Sequence, residues 1–284
     1  MSGIYWLASY PKSGNTWLRA FLTNYLRNAD EPADINELDA SGVAFNRYQF
    51  DEYVGIESSD LTPKQIEHYR PLVYEKMSDE TEEPVFLKVH DAFTYNSEGQ
   101  PIFSKKATAG VIYLVRNPLD VAVSYAHHSR QPIDTIIRIM GQSDKFLVSS
   151  DDGDQLPQKL MSWSEHVSSW LDAPDMNLLT VKYEDMISDS IGTFEEIVRF
   201  SGLELDRNCV KKSVEFSSFE KLKAQELEKG FYEKYLKAES FFRKGKAGSW
   251  RESLTAVQVE QFISEHGAVM KRLGYVDANG TIPS

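Results

Sequence analysis

The sequence predicts an α/β fold, with a central parallel β-sheet flanked by helices in a single domain over residues 1–284. Three observations carry this expectation. Short apolar runs at residues 4–8, 84–90, 109–116 and 177–182 have the length and composition of buried strands, and helical apolar stripes lie between them. The 284-residue chain, with 41% hydrophobic and 12% aromatic residues, can bury a large core, which excludes disorder throughout. No internal repeat, low-complexity tract or flexible linker divides it.

The first run, Ile4 to Ala8, passes through Ser9-Tyr10-Pro11-Lys12-Ser13-Gly14 into a stripe of Trp17, Leu18, Phe21, Leu22, Tyr25 and Leu26 at helical spacing. A strand, a turn with Pro and Gly, then a helix directs backbone N–H groups and a helix dipole at an anion. Lys12, Ser13, Asn15 and Thr16 add a cation and side-chain donors there, so the stretch reads as a phosphate cradle. An ordinary strand–turn–helix junction carries the same residue types. The usual nucleotide loop puts Lys after its second Gly, whereas Lys12 precedes Gly14.

Residues 29–60 are polar and acidic with interleaved aromatics, expected as a loop with short helical pieces. Thr62-Pro63 reads as an N-cap and first helical residue, with Pro71 expected to kink or interrupt the helix. The second strand ends in Lys88-Val89-His90. Parallel strands present ligand-binding groups at their carboxyl ends, although a lone strand-end His is commonly structural. The third strand ends at Arg116, and Asn117-Pro118 starts a helix with Leu119, Ala122, Val123 and Ala126 on one face. A guanidinium beside a helix N-terminus can grip phosphate oxygens bidentately. Residues 129–157 read as a mobile loop or lid, the fourth strand runs into Tyr183, and a helix over 193–200 ends before Gly202. Helices broken at Ser217-Ser218 follow. Residues 241–250 (Phe-Phe-Arg-Lys-Gly-Lys-Ala-Gly-Ser-Trp) are too irregular for helix or strand, and their cations make either an anion-binding loop or a solvated basic turn. A final amphipathic helix uses Val259, Phe262, Ile263 and Val269.

Formal charge is −12, from 31 basic and 43 acidic residues, so nucleic acid and anionic membranes are not expected partners. The single cysteine, Cys209, permits no intrachain disulfide and suggests a reducing compartment. No leader or membrane-span pattern is present, so a soluble, cytoplasmic protein is expected. The six His are scattered apart from His127-His128, and no metal is expected.

Three separated motifs together resemble the sulfotransferase family, whose donor is 3′-phosphoadenosine 5′-phosphosulfate (PAPS) and whose product is PAP. Residues 10–17 resemble its 5′-phosphosulfate loop. Residues 113–124 (Tyr-Leu-Val-Arg-Asn-Pro-Leu-Asp-Val-Ala-Val-Ser) resemble its 3′-phosphate strand and helix, and Arg243-Lys244-Gly245-x-x-Gly248-x-Trp250 looks like its C-terminal R-K-G-x-x-G-x-W loop. The resemblance implies a P-loop-like sulfotransferase fold. Lys12 would stabilise the bridging oxygen as PAP leaves, and Ser13, Gly14, Asn15, Thr16 and Trp17 would hold the 5′-phosphate and adenine. Arg116 and Ser124 would bind the 3′-phosphate, Ser124 also restraining Lys12. Phe241, Phe242, Arg243, Lys244 and Gly245 would complete the donor site, and Tyr183, Ser217 and Phe219 match positions near adenine and phosphates. Lys88-x-His90 matches the family's Lys-x-His, implying His90 as general base and Lys88 as stabiliser of the transferring group.

A His with an ordinary pKa of about 6.5 suits proton abstraction from an alcohol. Asn15, Ser249 and Asp91 depart from common family residues, and residues 251–260 match the dimerisation segment only in part, so a monomer or weak homodimer is expected. The acceptor is expected to be a small molecule, such as a natural product, sulfated on oxygen or nitrogen. Asp91, Glu98, Asp144, Asp151 and Asp152 suit a polar or cationic one. A P-loop kinase and a non-catalytic PAP-binding module are the competing readings.

Overall fold

The computed structural model describes residues 3–39, 42–147, 154–235 and 238–283. In chain order its strands are β1 (Gly3–Ser9), β2 (Gly42–Val43), β3 (Pro84–Val89), β4 (Thr108–Val115), β5 (Phe146–Leu147), β6 (Gln158–Lys159) and β7 (Leu178–Lys182). The helices are α1 (Asn15–Arg27), α2 (Arg47–Val54), α3 (Pro63–Asp79), α4 (Pro118–Ser129), α5 (Ile133–Met140) and α6 (Trp163–Leu171), then α7 (Tyr183–Ser188), α8 (Ser190–Phe200), α9 (Arg207–Phe216), α10 (Phe219–Lys229) and α11 (Ala256–Arg272).

Five strands form one parallel sheet in the order β2-β3-β1-β4-β7. Its two faces divide the alternating residues of the central strands. Trp6, Val111 and Tyr113 pack with Tyr74, Phe103 and Trp170 on one side. Tyr5, Leu7, Ile112 and Leu114 pack with Phe21, Val181 and Phe194 on the other. Burial on both faces explains why the strands read as continuous apolar runs. Trp6 satisfies its indole by donating to Thr108 Oγ1 at 2.8 Å.

The register sets up the site. Ala8 lies beside Val89, Ser9 beside Leu114, and Val115 beside Lys182. The next residues of each chain segment, the loop from Tyr10, then His90, Arg116 and Tyr183, therefore leave the sheet at one edge. The chain passes from β3 on one side of β1 to β4 on the other, and ligands of open parallel sheets occupy the crevice at such a reversal.

Helix starts follow their sequence signals. Thr62 and Gln65 form a capping box, and Asn117 accepts from Leu119 N. Three expectations are corrected. Helix α3 is not interrupted at Pro71, the interrupting half of the expectation, and flanking Arg70 and Tyr74 are fixed by Asp91 and the Ala44 carbonyl. Residues 133–140 form helix α5 inside the expected mobile loop, because Ile133, Ile136, Ile137 and Met140 share a face against the core. The 29–60 stretch contributes edge strand β2 as well as helix. The Ser149–Gly153 tail of the expected lid, with Asp151 and Asp152, lies outside the described residues.

Candidate functional site

A cavity of about 1080 Å³ opens at the carboxyl edge of the sheet, lined by Pro11, Lys12, residues 14–17, Lys88, His90, Arg116, Ser124, Tyr183, Phe219 and residues 241–246. Sixteen of the eighteen residues singled out from sequence line this space; Ser13 and Ser217 do not.

The loop between β1 and α1 is held in an uncommon conformation. Lys12 has φ 71° and Gly14 φ 102°, and a non-glycine residue in the left-handed region carries strain that clusters at functional sites. Gly14 is required twice over. Its φ disfavours a side chain, and a Cβ there would lie 2.7 Å from Tyr183 Cδ2. Trp17 and Leu18 both donate to the Gly14 carbonyl at 3.0 and 3.2 Å, leaving the preceding first-turn amides without helical acceptors. Asn15 does not extend into the cavity through its amide nitrogen, which donates to Leu7 O at 2.8 Å and Ser9 Oγ at 3.2 Å and ties the loop to its strand.

Lys12 Nζ sits 4.0 Å above the Phe241 ring. Burial, then the Arg116 and Lys88 charges, push the Lys12 amine down to about 7. Arg116 is buried and stacks 4.1 Å over the Tyr183 ring. Its guanidinium donates to Lys12 O and Lys246 O, both at 3.2 Å, so it joins the first loop to the last. The buried Ser13 Oγ, Trp17 Nε1 and Arg116 Nε have no protein hydrogen-bond partner. Such donors, around a cavity with Lys12 and Arg243, fit a group carrying phosphate oxygens.

The 241–250 loop is pinned at both ends by carboxylates the sequence did not single out. Glu226 of α10 accepts from Phe241 N and Phe242 N at 2.6 and 2.9 Å. Asp120 of α4, 1% exposed, accepts from Gly248 N, Ser249 Oγ and Trp250 N at 2.7, 3.0 and 3.0 Å. Gly245, at φ 60°, passes so close to Phe219 that a Cβ would lie 2.4 Å from its ring. Lys244 pairs with Glu252 at 2.9 Å while still bordering the cavity. Ser217, by contrast, is fully buried and donates to Ser213 O at 2.7 Å, so its hydroxyl terminates α9 and does not face the cavity.

His90 Nδ1 lies 2.8 Å from the Ser9 carbonyl. A carbonyl only accepts, which assigns the proton to Nδ1 and leaves the Nε2 lone pair free. Behind it, His166 Nε2 donates to His90 O at 3.1 Å, and His166 Nδ1 meets Tyr113 Oη at 2.9 Å. Burial, then the Lys88 charge, push His90 down to about 3. The expected ordinary pKa near 6.5 is corrected accordingly, and the ring is neutral across the working range.

Lys88 pairs with Glu233 at 3.1 Å, and Glu233 also binds Arg19 at 2.8 Å. Asp91 is corrected as an acceptor-facing acid. It is 2% exposed, accepts from Arg70 at 2.9 and 3.1 Å and from Lys159 N at 2.9 Å, and holds the turn after β3. Glu98 pairs with His68 at 3.1 Å on the surface. The remaining cavity wall carries Val43, Phe45, Tyr125, Leu147, Tyr232 and Tyr235, with His128, Ser129, Gln131, Gln155, Gln158 and Lys234 among its polar groups. Among the described residues no cluster of three or more His, Cys, Asp or Glu is placed to hold a metal ion, and no helix is long and apolar enough to cross a membrane.

A parallel sheet whose strand ends gather two basic loops, an imidazole and a lysine defines a group-transfer enzyme for an anionic donor. Residues 4–274 match the family model of the sulfotransferase domain, and the chain belongs to that family. It is 26% identical to a flavonol 3-sulfotransferase of Flaveria bidentis over 272 residues, covering 90% of this chain and 78% of the relative. It is 27% identical to a 3-alpha-hydroxysteroid sulfotransferase of Cavia porcellus over 262 residues, covering 89% and 79%. Among solved structures it resembles a retinol dehydratase in complex with androsterone and PAP, at 22% identity and TM-score 0.64, covering 94% of this chain and 80% of the other. It also resembles a mouse sulfotransferase complexed with PAP, at 20% identity and TM-score 0.61, covering 98% and 87%. These likenesses establish the expected fold.

Proposed function

We propose that this sulfotransferase moves the sulfuryl group of PAPS to a hydroxyl of a small molecule and releases PAP. The observation that carries the reading is the pairing of two anion-binding loops in one cavity, joined by Arg116 through Lys12 O and Lys246 O. One loop suffices for an ordinary nucleotide. A second basic loop suits a donor with an additional 3′-phosphate.

In this reading residues 13–17 hold the 5′-phosphate, with Trp17 and Phe219 beside the adenine. Arg116, Ser124, Arg243 and the 244–246 backbone hold the 3′-phosphate. The acceptor oxygen attacks sulfur in line as the bond from sulfur to the bridging oxygen breaks, and Lys12 neutralises the charge left on that oxygen. His90 Nε2 takes the acceptor proton. Its low proton affinity in the free protein rises when the donor's negative charge enters beside Lys12 and Lys88. The acceptor wall favours a mainly apolar body with one hydroxyl, since Asp91 is withdrawn into its ion pair. A cytoplasmic setting accords with Cys209, which is buried and free.

The neighbourhood of Lys12, Lys88 and His90 in the same cavity supports turnover over a non-catalytic PAP-binding module. Calorimetric titration with PAP, AMP and ATP tests the donor. PAP should bind far more tightly than AMP, and Arg116→Ala should abolish that preference. Equal affinity for PAP and AMP in the unaltered protein would refute a 3′-phosphorylated donor.

A further inference from the structure

Glu233 lies in neither of the donor-binding loops, yet it meets two cations from distant parts of the chain. Its Oε1 is 2.8 Å from Arg19 Nη1 of α1, and its Oε2 is 3.1 Å from Lys88 Nζ of β3. Arg19 is fully buried, and the Lys88 and Glu233 side chains are only 15% and 18% exposed. Lys88 and Glu233 share the cavity wall with His90.

Among the described residues, the other groups facing this lysine supply no negative charge. They are Lys12 from the loop after β1, Arg19 from α1, His90 at the end of β3 and His128 from α4, whose ring titration the Lys88 charge itself perturbs. Of the carboxylates nearby, Asp120 is engaged by Gly248, Ser249 and Trp250, and Glu226 by Phe241 and Phe242. A guanidinium does not release its proton in proteins. If Glu233 lost its charge, Lys88 would be the member of the buried pair of cations to become neutral.

We propose that Glu233 is a positioning residue for sulfuryl transfer, bridging Arg19 and Lys88 so that the Lys88 ammonium stays charged and fixed beside His90. This rests on the reading of Lys88 as a group that stabilises the transferring sulfuryl. Burial lowers the proton affinity of Lys88, and Glu233 opposes that fall. The Glu233 carboxyl, which burial alone would raise, is held down at about 2 by Lys88 and Arg19, so it remains an anion at every working pH. A carboxylate that merely stapled the 230–235 segment to the body would affect stability or ligand affinity, with no specific effect on the charge of Lys88.

The test uses the full chain labelled with [13Cε]lysine, the Lys88 resonance being assigned through Lys88→Met. Removing an opposite charge at this range should lower the Lys88 pKa in Glu233→Gln by about one to three units, and Glu233→Asp should restore most of it. In parallel, PAP release from PAPS is followed with 2-naphthol or with water as acceptor. Relative to the unaltered chain, Glu233→Gln should lose more activity at pH 8 than at pH 6, and in a Lys88→Met background most of that extra pH dependence should disappear. Retained PAP affinity shows the variants to be folded. An unchanged Lys88 titration in Glu233→Gln overturns the proposal while leaving the role of Lys88 intact. Normal transfer by Lys88→Met instead removes the reading on which the proposal depends.

Discussion

Replacing Asp120 by Ala should weaken PAP binding selectively, although Asp120 lies on α4 and acts through the loop proposed to hold the 3′-phosphate. Its carboxylate accepts three hydrogen bonds from residues 248–250, at 2.7, 3.0 and 3.0 Å, and is 1% exposed. A hydrogen bond to a charged acceptor contributes about 1.5–3 kcal/mol net, and each backbone N–H left buried without a partner costs about 1–3 kcal/mol. The loop escapes the larger sum by opening to water, so the loss appears as disorder that PAP must reverse on binding. With about 2–3 kcal/mol carried into binding, and about 1.4 kcal/mol per factor of ten, PAP affinity should fall roughly 30- to 150-fold. AMP, which lacks the 3′-phosphate, should lose no more than about threefold by the same arithmetic. Calorimetry with both ligands, with a thermal melt to show that the variant is folded, makes the measurement. Equal losses for PAP and AMP, or no loss for either, would refute the reasoning.

Two further outcomes concern charge. Because Lys12 is held at about 7, it loses its proton above that pH in the free enzyme, so kcat/KM for PAPS should fall as pH rises through 7. His90, held near 3, should give no acidic limb between pH 5 and 8, and an acidic limb near 6.5 that vanishes in His90→Gln would contradict its buried setting. Asp91→Ala leaves the buried Arg70 guanidinium unpaired, which should cost about 3–5 kcal/mol in urea unfolding. A changed acceptor KM at unaltered stability would instead restore Asp91 to the acceptor site.

The sheet was legible because strands buried on both faces announce themselves as apolar runs, and the residues that end those strands, Lys88-Val89-His90 and Arg116, are by construction at the ligand edge. The 10–17 turn was legible from Pro, Gly and Lys in a strand-to-helix junction. Asp120 was not, because an acid in the first turn of a helix reads as a dipole partner, and its real partners are 128 to 130 residues away in sequence. Glu233 sits in a mixed aromatic and charged stretch that carries no period, so only the folded chain shows which of its acids turns inward. Ser217 matched a donor position by sequence, but a serine at a helix end can satisfy itself on the preceding turn, and this one does. Helix α5 shows the opposite error. Its Ile133, Ile136, Ile137 and Met140 period was present, but a polar surround and the flanking Pro132 and Gly141 made the region read as loop.

The charge of the chain and the charge of its cavity have opposite signs, and the anchors explain how. With −12 overall, long-range attraction would not bring a polyanionic donor to this surface. Among the described residues, Lys12 and Arg116 make no ion pair with a carboxylate within 4.0 Å. The nearby acids are instead turned to other work. Asp120 and Glu226 are capped by backbone and hydroxyl donors, which stabilises the basic loop without neutralising its lysines and arginine. Glu233 takes Arg19 and Lys88, and Glu252 takes Lys244, while Lys12 and Arg116 keep their charge toward the cavity. Asp120 already borders the cavity, so a mutation that removed its donors in the 248–250 segment would harm donor binding twice, by releasing the loop and by leaving an uncompensated negative charge against the phosphates.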